Sequence, residues 1–378
     1  MKKIITVLAI VTSICSFGQD KPEVEKKRSY TNVDFHETYQ PKNYKKWKKR
    51  PKNVILLIGD GTGLAQLYSA YTANKGRLNL FNLTNVGFSI TTSANRYITD
   101  SAAGATAMAS GIKTNNSAVG VDPNNKPVTL ITDELRAKNF KIAVISNGDI
   151  TDATPASFYA HQPSRKMMDE IALDFMASKT DVLIGGGTSH FTKRTDKRNL
   201  LQELNKLGYG VTVNFTVIDS LRKDKFVVLD DKAVVSKMNG RTDFLQHSLR
   251  KTLQTFSKSK QPFFIMEEAA QIDIGGHNNN IEYVVTEALD FDKTIGDAIR
   301  FADSNRETLV IITADHETGG LSLIDGDISK GYVEASFGTD HHTSVAVPVF
   351  AYGPGADKFR GVYQNTEIYH KLKILLGL

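Results

Sequence analysis

Hydrophobic positions along this chain cluster into short unbroken runs. The first is Val54-Ile55-Leu56-Leu57-Ile58, and further runs recur at residues 141–146, 181–184, 263–266, 308–313 and 347–352. A strand with one wet face alternates apolar and polar residues. A continuous run instead marks a strand buried on both faces, as in parallel sheets. Helical stretches at 167–178, 199–207 and 282–303 lie between several of the runs. The alternation predicts an α/β fold: a doubly wound, mainly parallel central sheet flanked by helices on both faces. In such sheets functional groups collect at the carboxyl ends of the strands. Residues 208–241 read as a peripheral excursion. No internal repeat or composition shift divides the chain, so residues 53–378 are expected to form one domain with loop insertions, after a polar segment over 19–52.

The extreme N-terminus has a different pattern. MKKIITVLAIVTSICSFGQD places two lysines before an apolar run over 4–14, followed by the small residues Ser16 and Gly18. This is the layout of a secretory signal peptide over 1–18, cleaved after Gly18. Anchoring through Cys15 as a lipoprotein is the alternative, but Ile14 stands where a small residue is wanted. The apolar run is too short to span a bilayer. Cys15 is the chain's one cysteine, so the mature protein is expected to carry no thiol or disulfide despite its export. Any metal site must then use His, Asp, Glu and hydroxyl ligands. The net charge of +6 gathers early, at Lys26-Lys27-Arg28 and over 42–52. Only Tyr44 and Trp47 interleave there, which suits a solvated leader and not a nucleic-acid-binding module.

Candidate chemistry sits after the strand runs. In YITDSAAGATAMASG (97–111), Ser101 opens a small-residue helix that Asp100 or Ser101 itself caps, with backbone N–H groups aimed at incoming anions. By itself this segment reads more readily as an alanine-rich helix packed beneath a strand. Asp60 follows the first run, Asp315-His316 follow 308–313, and Glu268 follows 263–266 with Asp273 and His277 just beyond. Asp152, Thr154 and Arg165 follow 142–145, and His341-His342 precede 347–352. An acidic residue after a strand is often a helix cap; so many groups able to bind metal or phosphate, placed alike, point to a shared site.

The motifs NVILLIGDGTG, TDSAAGATA, DATPASFYAHQPSR, EEAAQIDIGGHNN, TADHETGG and HHTSVAVPVFAYGPG, in that order over 53–354, make the chain resemble the bacterial alkaline phosphatases. Its compact length is most similar to the smaller members, without large crown-like insertions. The resemblance implies an alkaline-phosphatase-like catalytic domain over 53–378. It would hydrolyse small phosphate monoesters of broad range at alkaline pH through a covalent phosphoserine on Ser101, with Arg165 gripping two nonbridging phosphate oxygens in its planar fork. It implies two zinc ions, one on Asp60, Asp315 and His316 and the other on Asp273, His277 and His342. It further implies one magnesium ion on Asp60, Thr154 and Glu268, with Asp152 orienting that ion's waters. These donors suit the two metals. A periplasmic or secreted homodimer, with no membrane span in the mature chain, completes the expectation.

The chain departs from the family's pattern in one place. Ile274 stands beside Asp273 where the family often has Lys, His or Trp, which predicts easier release of product phosphate and an altered third metal site. Of the adjacent histidines, spacing to Gly353-Pro354 favours His342 over His341 as ligand. His161 reads as structural, and His36, His190, His247 and His370 as surface or loop residues. Gly185-Gly186-Gly187 lacks a following Gly-Lys-Ser/Thr and reads as a strand-end turn. Glu267 should face away from Glu268, since neighbouring strand residues alternate. Competing readings are a phosphodiesterase, sulfatase or metal-dependent mutase on a related sheet, or an exported protein that sequesters zinc or phosphate. Sequestration needs no nucleophile, so Ser101 and Arg165 argue against it.

Overall fold

The computed structural model describes residues 25–42, 47 and 50–378. The expected signal peptide and cleavage point, and Cys15, lie outside the described residues. A ten-stranded sheet organises the chain. Its strands in chain order are β1 (Asn53–Gly59), β2 (Asn85–Ile90), β3 (Lys141–Asp149), β4 (Val182–Gly186), β5 (Gly210–Thr212), β6 (Phe226–Leu229), β7 (Phe263–Ala269), β8 (Thr308–Thr313), β9 (Val347–Tyr352) and β10 (Gly361–Gln364). Across the sheet they stand β10-β2-β9-β8-β1-β7-β3-β4-β6-β5. β9 runs antiparallel to both neighbours, and the other pairings are parallel.

Side-chain alternation along the central strands divides the core into two layers. From β1, Val54, Leu56 and Ile58 enter one layer and Ile55 and Leu57 the other. The helices that matter below are α1 (Leu64–Ala73), α2 (Ser101–Ser110), α3 (Ala153–Ala156), α4 (Phe244–Phe256), α5 (Gln271–His277), α6 (Ile281–Asn305) and α7 (Thr366–Leu376). On the first face, α2 contributes Ala102, Ala105, Met108 and Ala109, and α7 adds Ile368, Leu372 and Leu375. On the second, α4 and α6 lay Leu249, Phe256, Val284 and Ile295 against the sheet. Each such side chain, fully buried, is worth about 1.5–3 kcal/mol. Every residue of α2 is buried, which its alanines and Gly104 permit because small side chains let the helix backbone sit close to the strands.

The excursion expected over 208–241 is instead the sheet's far edge, where it supplies β5 and β6. β5 is three residues and β6 four, too short for periodicity to separate from loop. A second sheet lies outside the main one. Its hairpin Leu321–Asp327/Tyr332–Phe337 takes in Ser29–Thr31 as a third strand, so part of the polar N-terminal segment is built into the fold. Among the described residues no helix is long and apolar enough to cross a membrane.

Candidate active site

The carboxyl ends of β1, β7, β8 and β3 deliver polar side chains to one place. Asp60 leaves β1, Glu268 stands near the end of β7, Asp315 and His316 follow β8, and Asp152 and Thr154 flank the start of α3 after β3. α2 meets them with its N-terminus. Its cap is Asp100, whose Oδ1 accepts from Ala103 N at 3.0 Å and whose Oδ2 accepts from Ser117 N at 2.8 Å. Ser101 is therefore the first helical residue, and its Oγ lies 3.1 Å from His316 Nε2.

That imidazole nitrogen is a point of convergence. It lies 3.2 Å from Asp315 Oδ2 and 3.5 Å from Asp60 Oδ1, while Nδ1 faces Thr318 Oγ1 at 3.2 Å. Asp60 Oδ1 and Asp315 Oδ2 are buried and have no hydrogen-bond partner. Burial pushes Asp60 well above the usual carboxylate range and Asp315 up to about 7, and the negative neighbours Asp315 and Asp273 respectively add to it. Two buried carboxylate oxygens without partners are expensive unless a cation meets them. With an imidazole completing a three-ligand group, these nitrogen and oxygen donors fit zinc.

A second group adjoins the first. His342 stacks on His316 with ring centroids 3.5 Å apart, and its Nε2 lies 3.2 Å from His277 Nε2 and 3.8 Å from Asp273 Oδ1. Asp273, His316 and His342 also have ligand atoms close enough to share an ion. His277 Nε2 lies 3.2 Å from Asp273 Oδ2. That hydrogen bond raises the His277 pKa to about 9. Burial opposes ionisation of Asp273, yet the His277 hydrogen bond and the imidazole charges hold it below the usual range. The outer nitrogens are fixed by main chain: His342 Nδ1 by Thr99 O at 3.0 Å, His277 Nδ1 by Asp340 O at 2.6 Å. Such partners set tautomer and ring orientation. His341 points away, its side chain 82% exposed beside Asp340.

Glu268 closes the third side. It is buried, accepts from Ser146 Oγ, and burial together with the charge of Asp152 lifts it to about 8. Thr154 Oγ1 lies 3.3 Å from Asp60 Oδ2, so Asp60 borders both the first group and this oxygen-only one, whose donors fit magnesium. Arg165 Nη2 donates to Asp152 Oδ1 at 2.7 Å, and Nη1 lies 3.6 Å from Asp100 Oδ2. Burial alone would lower the guanidinium pKa, but Asp152, Asp100 and Asp60 raise it above its ordinary value. The fork therefore stands charged against Asp100, the residue before Ser101.

Comparison with known proteins decides the family. The family model for alkaline phosphatase matches residues 51–334. The chain belongs to the alkaline phosphatase family. Alkaline phosphatase 4 of Bacillus subtilis (strain 168) is 30% identical, over 89% of this chain and 91% of the relative. The solved alkaline phosphatase of the Antarctic bacterium TAB5 is 41% identical, covers 87% of this chain and 98% of its own, and superposes with a TM-score of 0.82. Two solved variants of the TAB5 enzyme hold magnesium in the M3 site. The Thermus thermophilus alkaline phosphatase, 18% identical with a TM-score of 0.79 over 90% of this chain and 93% of its own, shares the fold. Alkaline phosphatases are metal-dependent, and this chain is an enzyme of that class; the family supports hydrolysis of phosphate monoesters.

Some participants escaped sequence reasoning. Thr318 hydrogen-bonds to Asp273 and His316 at once, and it lies inside the TADHETGG motif, where a hydroxyl two residues beyond His316 was the available signal. Ser146, which orients Glu268, is an unremarkable end to a strand in sequence. Of the histidines read as surface or loop residues, His36 is largely buried against Asp292 at 2.8 Å, and His190 bridges Asp169 at 2.9 Å and Asp149 at 3.6 Å. His161 holds Gly120 O at 2.6 Å, a structural bond.

Proposed function

We propose that the chain hydrolyses phosphate monoesters of broad range through a covalent phosphoserine on Ser101, outside the inner membrane and as a homodimer. The observation that carries this reading is the convergence of Ser101 Oγ, Asp315 Oδ2 and Asp60 Oδ1 within 3.1–3.5 Å of His316 Nε2. Asp60, Asp315 and His316 would hold one zinc ion, Asp273, His277 and His342 a second, and Asp60, Thr154 and Glu268 a magnesium ion near Asp152. When bound, these cations supply the positive charge that favours the serine alkoxide and clamps attacking and leaving oxygens.

The chain's own groups do the rest. Arg165, pinned by Asp152, binds two nonbridging oxygens and turns the phosphorus towards Ser101. Ser101 Oγ attacks, the ester P–O bond breaks, and the alcohol leaves with a proton. Water then attacks phosphorus from the vacated side, the Oγ–P bond breaks, Oγ regains a proton and inorganic phosphate departs. The groups named here grip only the phosphoryl, which supports a broad range of esters. A signal peptide over 1–18 supports export, and family membership supports the dimer.

The test is steady-state hydrolysis of a nitrophenyl phosphate monoester and the matching diester at alkaline pH with zinc and magnesium. The monoester is expected to be strongly preferred, and Ser101→Ala to lower its turnover by at least about 10³-fold with metal content retained. Preference for the diester, or full activity in the alanine variant, overturns the reading.

A further inference from the structure

We propose that residues 25–31 act as a positioning strap that helps set the geometry of the second metal group by tying the end of α5, which carries His277, to the segment that carries His342. The inference rests on the reading that Asp273, His277 and His342 hold a metal ion.

The end of α5 and the segment that carries His342 meet through short polar contacts. His277 Nδ1 meets Asp340 O, and on its other side the His342 segment pairs with Glu317–Thr318 and accepts at His341 O from Gly319 N at 2.9 Å. The Asn279 amide, turned to satisfy its neighbours, donates to Gly276 O at 3.1 Å and Thr339 O at 2.8 Å. Asn279 itself sits at φ +49°, a left-handed conformation that leaves the backbone dependent on its surroundings. The facing imidazoles share one contact, Nε2 to Nε2 at 3.2 Å, in which a protonated ring can donate to its neighbour. One such bond leaves their spacing dependent on the backbone on either side as well.

The strap grips both sides within a few residues. Lys27 N donates to Asn279 O at 3.1 Å, and Ile281 N donates to Lys27 O at 2.9 Å, a parallel bridge immediately after His277. Asn280, whose Oδ1 caps α6 through Tyr283 N at 2.9 Å, spends its amide on Glu25 O at 2.7 Å. Lys27 Nζ adds an ion pair with Glu282. One residue on, Ala335 N donates to Arg28 O at 2.8 Å, and Ser29, Tyr30 and Thr31 pair with Glu334, Val333 and Tyr332. Those three lie on the hairpin strand that ends at Phe337 and leads through Gly338–Asp340 to His342. Residues 25–28 thus hold the His277 side and residues 28–31 the His342 side.

Two variants separate this from plain structural support. Lys27→Pro deletes the N–H that binds Asn279 O. Asn280→Asp keeps the α6 cap oxygen but removes the donor to Glu25 O. Lys27→Ala, which keeps the backbone bridge, is the control. Zinc binding to the metal-stripped full chain is titrated against a chelating indicator, with His277→Ala marking which binding step belongs to the second group. The marked step is expected to weaken about tenfold or more in Lys27→Pro and Asn280→Asp, the range typical of groups that orient metal ligands, with the other step and the far-ultraviolet dichroism unchanged and Lys27→Ala like the parent. If Lys27→Pro fails to fold, Asn280→Asp decides. Both steps within about twofold of the parent in Asn280→Asp, or equal weakening of both, overturns the strap. A parent chain with no step sensitive to His277→Ala overturns the metal reading as well, and so distinguishes the two failures.

Discussion

At the scale of single residues the candidate metal ligands announce themselves, and two neighbours bear on how they would be used. Ile274 follows Asp273 on α5 with 40% of its surface exposed. A cation at this position could hydrogen-bond phosphate, and charge-assisted bonds are worth about 1.5–3 kcal/mol. Ile274→Lys is therefore expected to tighten competitive inhibition by inorganic phosphate about tenfold or more and to slow turnover where product release limits it. An unchanged inhibition constant would show that residue 274 has no reach to the anion. The pair His341-His342 was ambiguous in sequence because a one-residue slip in a loop costs nothing in pattern. Here the ring of His342 stacks on His316 and that of His341 faces solvent. Metal analysis of the two alanine variants checks the assignment: His342→Ala should lose about one zinc per chain, His341→Ala none. Ser146 was illegible for the opposite reason, since a hydroxyl in an apolar run has no signature until the atoms it bonds are known, and Thr318 was signalled only by its place two residues beyond His316.

At the scale of elements, the helix that presents Ser101 is constrained by what it touches. A Cβ added to Gly104 would lie 2.9 Å from Asp315 O and 3.2 Å from Asp315 Cβ, so α2 rests directly on the segment that carries two of the candidate ligands. Helix propensity alone favours alanine over glycine by about 1 kcal/mol, whereas overpacking costs about 1–3 kcal/mol, so the two partly cancel in stability. They do not cancel in geometry. Gly104→Ala is expected to shift the melting temperature by only a few degrees but to lower kcat/KM about 10- to 100-fold, because small displacements of reacting groups are costly in rate. A variant with parental kcat/KM would mean that Asp315 can retreat without consequence. The long central strands were readable since both faces are apolar, and β8 and β9 match their apolar runs end to end. The short strands β5, β6 and β10 at or next to the edges were not, because three or four residues carry no period, and the outer hairpin hides its pairing behind a bulge between Leu323 and Asp325.

At the scale of the whole molecule, the sheet's far edge and the site are joined by one buried ionic network. Arg241 follows β6 and is almost wholly buried. Its Nη1 donates to Val235 O at 2.9 Å and to Glu287 at 3.1 Å, and its Nη2 pairs with Glu287 and with Asp290 at 2.9 Å, both acids being on α6. Lys237 adds a pair to Asp290 at 2.9 Å and a backbone N–H to Glu287 at 2.6 Å. α6 begins four residues beyond His277, so the network anchors the loop that follows β6 to the helix behind the site. Polar charge buried this deeply is costly to assemble and costlier to break, since removing one partner strands the others. Arg241→Met leaves Glu287 and Asp290 with only Lys237 and is expected to destabilise the chain by about 3–5 kcal/mol. Removing the acid as well, in Arg241→Met/Glu287→Met, should recover part of that loss because fewer charges then lie unpaired. Denaturant unfolding of the parent, single and double variants reads both effects. A single variant within about 1 kcal/mol of the parent would mean that water reaches the two acids when the guanidinium leaves, and that the edge is held to α6 by its apolar contacts alone.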